Sequence, residues 1–241
     1  MRAIYALRDF ALRSSVDFLK LILPETLFEK IRDRRSKAFG NRYYSQRARN
    51  YDHDRAAQPS WMAEYQALEK ITAKLGRDLH IADMPVGTGR FFRIYEKLNW
   101  KVTGLDVSRD MLLMSEKSAE KSLSNLYSPH VADARRLSFA DESFDGVVCF
   151  RFLQSIVDFG DAQLALGEMA RVAKFWVILH LNVNPDSRSV TPFPPANKPM
   201  KGLLNLRKIE ELLESKRLRL DEMVGPMPGI GKNEYVILCR K

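Results

Sequence analysis

Cysteine is nearly absent from this 241-residue chain: Cys149 and Cys239 stand far apart, with no Cys-x-x-Cys and no histidine at metal-ligand spacing. That excludes a disulfide-stapled scaffold and points to a reducing compartment. Histidine is scarce too, and His53, His80, His130 and His180 form no His-x-x-x-His pair, so no metal ion is expected. Long apolar runs are missing: no stretch approaches the roughly 18 consecutive apolar residues that a bilayer span needs. The first twenty residues carry Arg8, Asp9, Arg13 and Asp17 where a secretory leader would be apolar. A cytoplasmic chain is therefore expected. Internal repeats and low-complexity tracts are likewise lacking.

Acidic residues are the minority, 30 against 39 Lys and Arg, for a net charge of +9. The imbalance is local, because residues 1–50 hold 12 basic and 5 acidic side chains and so carry a surplus of 7 of the 9. The basic character belongs to an N-terminal extension rather than to the rest of the chain. Residues 1–23 project as an amphipathic helix with Ile4, Leu7, Ala11, Phe18 and Ile22 on one side. A second helix over 25–39 ends in Arg32, Arg34, Arg35 and Lys37, where cations suit the helix dipole. Three readings stand for this pair: packing on the sheet or on a second copy, lying on an anionic lipid surface, or holding a nucleic acid.

What is present begins with 45% apolar residues, enough for one α/β core. Its most informative stretch is residues 80–90, His-Ile-Ala-Asp-Met-Pro-Val-Gly-Thr-Gly-Arg: an apolar strand ending in Asp83, then a turn in which Gly87 and Gly89 let a ligand lie against the backbone. The dinucleotide fingerprint Gly-x-Gly-x-x-Gly is incomplete, with Phe92 at the third glycine position. A second strand over 101–106 ends in Asp106, either an acceptor for ribose hydroxyls or an acid at the start of the next helix. A third, over 127–131, runs into Asp133 and Ala134, and Phe144-Asp145-Gly146 opens a fourth. Alternation continues with helices at 90–98, 108–122, 161–172 and 203–216 and strands at 174–181, 219–224 and 234–240, the pattern of a sheet covered on both faces. A helix at 59–75 precedes them, with Trp61, Met62, Tyr65, Leu68 and Ile71 as its expected buried side.

On these residues the chain resembles the class I S-adenosylmethionine-dependent methyltransferases, whose first motif reads Asp-x-Gly-x-Gly-Thr-Gly. Asp83, Gly87, Thr88 and Gly89 stand in matching places, and Pro85 replaces the first glycine while keeping the carbonyl that faces the methionine amino group in that family. The likeness covers residues 79–181. It implies a Rossmann-like, doubly wound α/β fold with seven strands, mostly parallel with an antiparallel last strand, behind an N-terminal helical extension. Residues 1–58 would form the extension and lid, and 59–241 the methyltransferase domain. S-adenosylmethionine would be held by Asp83, Pro85, Gly87, Thr88, Gly89, Asp106, Val107, Met111, Asp133, Ala134 and Phe150.

Residues 41–58 interleave Tyr43, Tyr44, Tyr51 and His53 with Arg47 and Arg49, which suits base stacking or, by resemblance, a lid ending at Tyr51-Asp52. Tyr44, Tyr51, Gln154 and Asn182 are assigned to the lid or to the acceptor. His180 and Arg151, at the ends of the fifth and fourth strands, are the catalytic candidates; His180 reads more readily as a satisfied polar residue at a strand end, and Arg151 suits an acidic acceptor or a cofactor carboxylate and equally a carboxylate between Asp158 and Glu168. Five of the eleven prolines fall within 184–200, a stiff segment that either grips substrate or simply connects.

Several acceptors are excluded by absence. There is no Asn/Asp-Pro-Pro-aromatic turn for a flipped base after the fourth strand, no loop cysteine for attack on cytosine, and no paired glutamates there for arginine. A small-molecule, lipid-linked or glycan acceptor remains, methylated at oxygen or nitrogen, with peripheral attachment to the inner face of the membrane through the basic helices. The alternatives are RNA methylation using the basic arm, or an inactive, cofactor-binding scaffold subunit. Oligomeric state is left open.

Overall fold

The structure, a computed structural model, describes residues 45–153, 156, 159–184, 204–225 and 234–241. The two basic helices of 1–40, Tyr44, Gln154 and the proline-rich segment from 185 onward lie outside them. Two helices, α1 (Ser45–Ala56) and α2 (Pro59–Thr72), lead into β1 (His80–Asp83), α3 (Phe92–Lys97), β2 (Lys101–Asp106), α4 (Arg109–Ala119), β3 (Tyr127–Val131) and β4 (Phe144–Cys149). Then follow α5 (Phe159–Val172), β5 (Ala173–Asn184), β6 (Leu204–Asn205), α6 (Leu206–Glu214), β7 (Arg219–Val224) and β8 (Glu234–Arg240).

The sheet runs β3-β2-β1-β4-β5-β8-β7, a doubly wound α/β sheet in which only β8 opposes the others. The two-residue β6 was not expected; it pairs with the end of β5 through Val183 and Asn184. Strands β1, β2 and β4 are parallel neighbours, with Asp83 opposite Gly104 and Val148. Because β1, β2 and β3 are parallel and adjacent, their acid-bearing ends share one border of the sheet.

Alternating side chains of the buried strands feed two cores, as the two-fold period of a strand requires. On one face Ile81, Val102, Val148, Trp176 and Ile178 meet Leu68 and Ile71 of α2, Ile94 and Tyr95 of α3, and Leu112 of α4. On the other, Ala82, Val147, Val177 and Leu179 meet Ala165, Leu166 and Met169 of α5 and Ile209 and Leu213 of α6. Ser108 caps α4, its hydroxyl accepting from the Met111 N–H at 3.3 Å.

Three local expectations are corrected. Helix α3 is shorter than 90–98 because the glycine turn extends through Phe91 and Asn99 leaves the helical region at φ 55°. Helix α6 starts at Leu206 because the preceding two residues are taken by pairing with β5. The buried side of α2 is rotated from the expected one: Ser60, Glu64, Ala67, Leu68, Ile71 and Thr72 point inward, while Met62 is 58% exposed. A polar Glu64 inside that stripe concealed the register.

Two strand glycines, Gly104 and Gly146, leave the space that the Tyr127 and Trp176 rings occupy. A Cβ on Gly146 would enter the Trp176 indole, which itself packs 5.6 Å from Trp100, whereas a Cβ on Gly76 would make an ordinary 3.8 Å contact with Leu79. Gly146→Ala is expected to destabilise the fold by about 1–3 kcal/mol in urea unfolding, with Gly76→Ala, measured alongside, closer to neutral.

Candidate active site

The turn after β1 is held from both sides. The Val86 N–H donates to the Leu105 carbonyl at 2.9 Å, and the Gly87 N–H donates to Asp106 Oδ2 at 3.1 Å. Gly87 and Gly89 have φ of 58° and 78°, in the left-handed region that favours glycine. Gly87 faces open space, with nothing within 4 Å of where a Cβ would stand. Gly89 instead lies tight against the Phe92 ring. Pro85 follows a cis peptide bond and is half-buried. Thr88 is buried and its hydroxyl donates to Asp52 of α1 at 2.7 Å. A cavity of about 430 Å³ opens here, lined by Asp52, Trp61, Tyr65, Gly89, Arg90 and further residues of α3 and α4.

The three strand-end acids lie on the same border but in three different states. Asp106 is buried and already accepts from Gly87 N–H and, at 2.8 Å, from Ser108 N–H. Burial pushes its carboxyl up to about 6, against the lowering effect of those backbone donors. Asp83 is not the rim carboxylate expected from its place before the turn. It is buried, faces inward, and accepts the Tyr95 hydroxyl at 3.1 Å. Burial, opposed by that hydrogen bond and reinforced by Asp106, pushes it up to about 8. Asp133 is exposed and gripped by Arg135, whose Nη2 lies 2.7 Å away and whose backbone N–H also donates. Burial raises its carboxyl less than Arg135 lowers it, so it stays ionised.

Of the other assigned residues, Val107 stands 50% exposed just beyond Asp106, Ala134 is half-buried beside Asp133, and Met111 is buried under the start of α4. Phe150 is buried, packing 4.6 Å from Phe91 and stacking at 5.5 Å on His180. Asn182 is half-buried on β5. Tyr51 packs 6.1 Å from Trp61, with Arg55 over its ring at 4.7 Å.

Arg151 has a partner the sequence did not disclose. It meets Glu64 of α2, with Nη2 at 2.6 Å and Nε at 2.7 Å from Oε1, and also donates to Ser60 Oγ at 3.0 Å. Of the carboxylates between Asp158 and Glu168, Glu168 binds Arg171 and Asp161 binds Arg135, while Asp158 lies outside the described residues. Glu64 is fully buried, and its second oxygen takes Arg90 Nη1 at 2.6 Å, while the Arg90 guanidinium lies 3.7 Å over the Trp61 ring. Burial raises the Glu64 carboxyl, but the Arg151 hydrogen bond and the surrounding positive charges outweigh it, and it stays ionised. A polar residue at helical spacing between Ser60 and Leu68 was the one available signal.

For Asp83 and Asp106 the folded state binds the proton more tightly than an unfolded chain, whose carboxyls titrate near about 3.9. Their stabilising contribution is complete below that value and is lost as pH rises through about 6 and about 8. Without ligand, the unfolding free energy is expected to fall between pH 4 and 8 in urea melts, and Asp83→Asn should flatten the upper part of that fall.

Residues 82–175 match the protein family described as a methyltransferase domain. A phosphatidylethanolamine N-methyltransferase of Cereibacter sphaeroides is 38% identical over 105 residues, 43% of this chain and 48% of the relative. The chain thus spans about half the length of that curated relative. Among solved structures, the PH0226 protein of Pyrococcus horikoshii aligns with a TM-score of 0.61 at 18% identity, covering 82% of this chain and 99% of that one. Magnesium protoporphyrin IX methyltransferase of Synechocystis, with SAH bound, aligns at 0.57 and 15% identity over 74% of this chain and 82% of that one. At such identities these two establish the fold alone. With the glycine turn and strand-end acids at the carboxyl border of a 3-2-1-4-5 sheet, the chain carries a methyltransferase-domain match over residues 82–175 on a fold it shares with these structures.

Proposed function

We propose that this protein transfers a methyl group from S-adenosylmethionine to a small-molecule or lipid-linked acceptor. The observation that carries this reading is the open left-handed turn at Gly87, tied to the buried Asp106 at the carboxyl border of β1 and β2. Ligands of doubly wound sheets bind at that border. The residues fit the cofactor: Gly87 leaves room for a backbone contact, Asp106 offers acceptor oxygens suited to ribose hydroxyls, and Val107 presents an exposed apolar surface suited to a base. Asp133 and Ala134 stand at the neighbouring strand end for the base edge.

The cofactor supplies an electrophilic methyl on a sulfonium, so the chain's own work is positioning and exclusion of water. Asp52 on α1 latches Thr88, which ties the lid segment to the turn. Phe150 and Arg151 follow β4, the neighbour of β1 in the sheet, and His180 within β5 stacks on Phe150; together they would make the wall facing the acceptor. The lipid-linked reading draws on the relative's printed substrate and on the basic extension, which would hold the protein at the inner face of the membrane. Among the described residues no helix is long and apolar enough to cross a membrane. The same extension favours one second reading, an RNA acceptor.

Asp106→Ala should weaken S-adenosylmethionine binding by about 1–3 kcal/mol in titration calorimetry; unchanged affinity would remove Asp106 from the site. The full chain should bind vesicles containing phosphatidylglycerol more tightly than neutral vesicles, and release them at high salt. Replacing Arg32, Arg34, Arg35 and Lys37 with Gln should abolish that preference while leaving cofactor affinity intact. Methyl transfer to RNA in place of lipid would transfer the assignment to the second reading.

A further inference from the structure

The cavity of about 430 Å³ beside the glycine turn is not used by the methyl transfer. Helix α1 supplies Asp52 to its wall, α2 supplies Trp61, Met62 and Tyr65, and the end of α4 supplies Ser118, with Lys121 just beyond. Of the residues assigned to the cofactor, only Gly89 lines it. Asp106, Val107 and Met111 stand at the start of α4, and its 11 residues, at about 1.5 Å each, put the far end roughly 16 Å away. The cavity therefore lies on the helix-covered side of the turn, apart from the sheet border where the cofactor is placed.

Arg90 is part of the wall and has a donor left over. Nη1 donates to Glu64 at 2.6 Å and Nη2 to the Trp61 carbonyl at 2.5 Å, while the guanidinium lies 3.7 Å over the Trp61 ring and 4.6 Å over that of Phe91. Because the guanidinium is a rigid plane, those contacts also fix where its third nitrogen sits. The side chain is only 9% exposed, and Nε is buried without a hydrogen-bond partner. Buried donors are nearly always satisfied, so an acceptor from outside the chain belongs beside Nε. One water satisfies that atom but leaves the rest of the space, whose volume is that of a small-molecule site walled by Trp61, Tyr65 and Phe92.

Charge and polarity select the occupant. Asp52 is the one carboxylate in the described wall and already accepts the Thr88 hydroxyl at 2.7 Å. Against it stand Arg90, Arg93 and Lys121. Arg93 pairs with Glu96 at 3.0 Å, and Glu64 is shared between Arg90 and Arg151, so one carboxylate faces two guanidinium groups. Lys121 has no ion-pair partner among the described residues, and the lining keeps a net positive charge that disfavours a metal ion. Met62, 58% exposed, carries the apolar side of the cavity out to solvent, which suits an apolar chain better than a compact ion. We propose that this cavity is a second ligand site, for a single-chain anionic amphiphile that brings an acceptor oxygen to Arg90 Nε and negative charge to Lys121, with its apolar body along Trp61, Met62, Tyr65 and Phe92. An acyl carboxylate and an alkyl phosphate share that chemistry. The site stands whether or not the glycine turn holds S-adenosylmethionine.

The test titrates the full chain by calorimetry with dodecanoate, dodecyl phosphate, dodecanol and dodecyltrimethylammonium, each below its micellar concentration. At least one of the two anions should bind, which identifies the head group, and at least threefold more tightly than the alcohol or the cation. In nitrogen NMR spectra the Arg90 Nε resonance should shift on addition of that anion. Lys121→Glu and Met62→Glu change exposed side chains, so ligand-free urea melts should match the parent, while anion affinity falls threefold or more. The variant with Gln at Arg32, Arg34, Arg35 and Lys37 should bind the anion as the parent does. No binding of either anion, which leaves a water-filled cavity only, would overturn the proposal. So would a preference under threefold over the alcohol or the cation, an unmoved Arg90 resonance, anion affinity within threefold of the parent in both cavity variants, or loss of binding in the N-terminal variant, which would transfer the anion to the basic extension.

Discussion

One buried carboxylate organises the functional end of this molecule. Glu64 receives Arg90 from just beyond the glycine turn and Arg151 from just beyond β4, so a helix that precedes the sheet is bound to two of its central connections. Removing one partner of such a pair leaves an uncompensated buried charge, typically a loss of about 3–5 kcal/mol. The arrangement is conditional on all three groups being present. It explains why Arg151 can hold a left-handed backbone conformation, φ 52°, at a place where an arginine gains nothing from it locally.

Around that anchor, one sheet border presents carboxylates in graded states. Asp83 is enclosed and protonated at neutral pH, Asp106 is enclosed but held by backbone donors, and Asp133 is exposed and ionised beside Arg135. Identical side chains at equivalent strand ends therefore do different work. Asp83 braces the turn through Tyr95, Asp106 joins the turn to β2 while retaining acceptor capacity, and Asp133 marks the solvent side.

The same border continues across β4 and β5 into a region of opposite character, built from guanidinium groups, an imidazole and two glutamates. Its parts come from α2, β4, β5 and β8, elements separated by up to 170 residues, and no local motif announces them. A glycine turn after β1 and a cluster of buried charged side chains on the strands beyond it thus share the centre of the sheet.

The sequence alone was enough for the doubly wound sheet, its single reversed strand and the placement of the glycine turn, because these depend on short-range signals: apolar strand runs, glycines and acids at strand ends. Helix edges near Arg90 and Leu203, and the facing of α2, escaped it, because a turn, a two-residue strand pairing and a buried glutamate override local periodicity. The orientation of Asp83, the partner of Arg151 and the meeting of Glu64, His180 and Glu234 belonged to the tertiary structure. Burial and long-range ion pairing depend on which distant segments the sheet brings into contact, and no spacing along the chain encodes that distance.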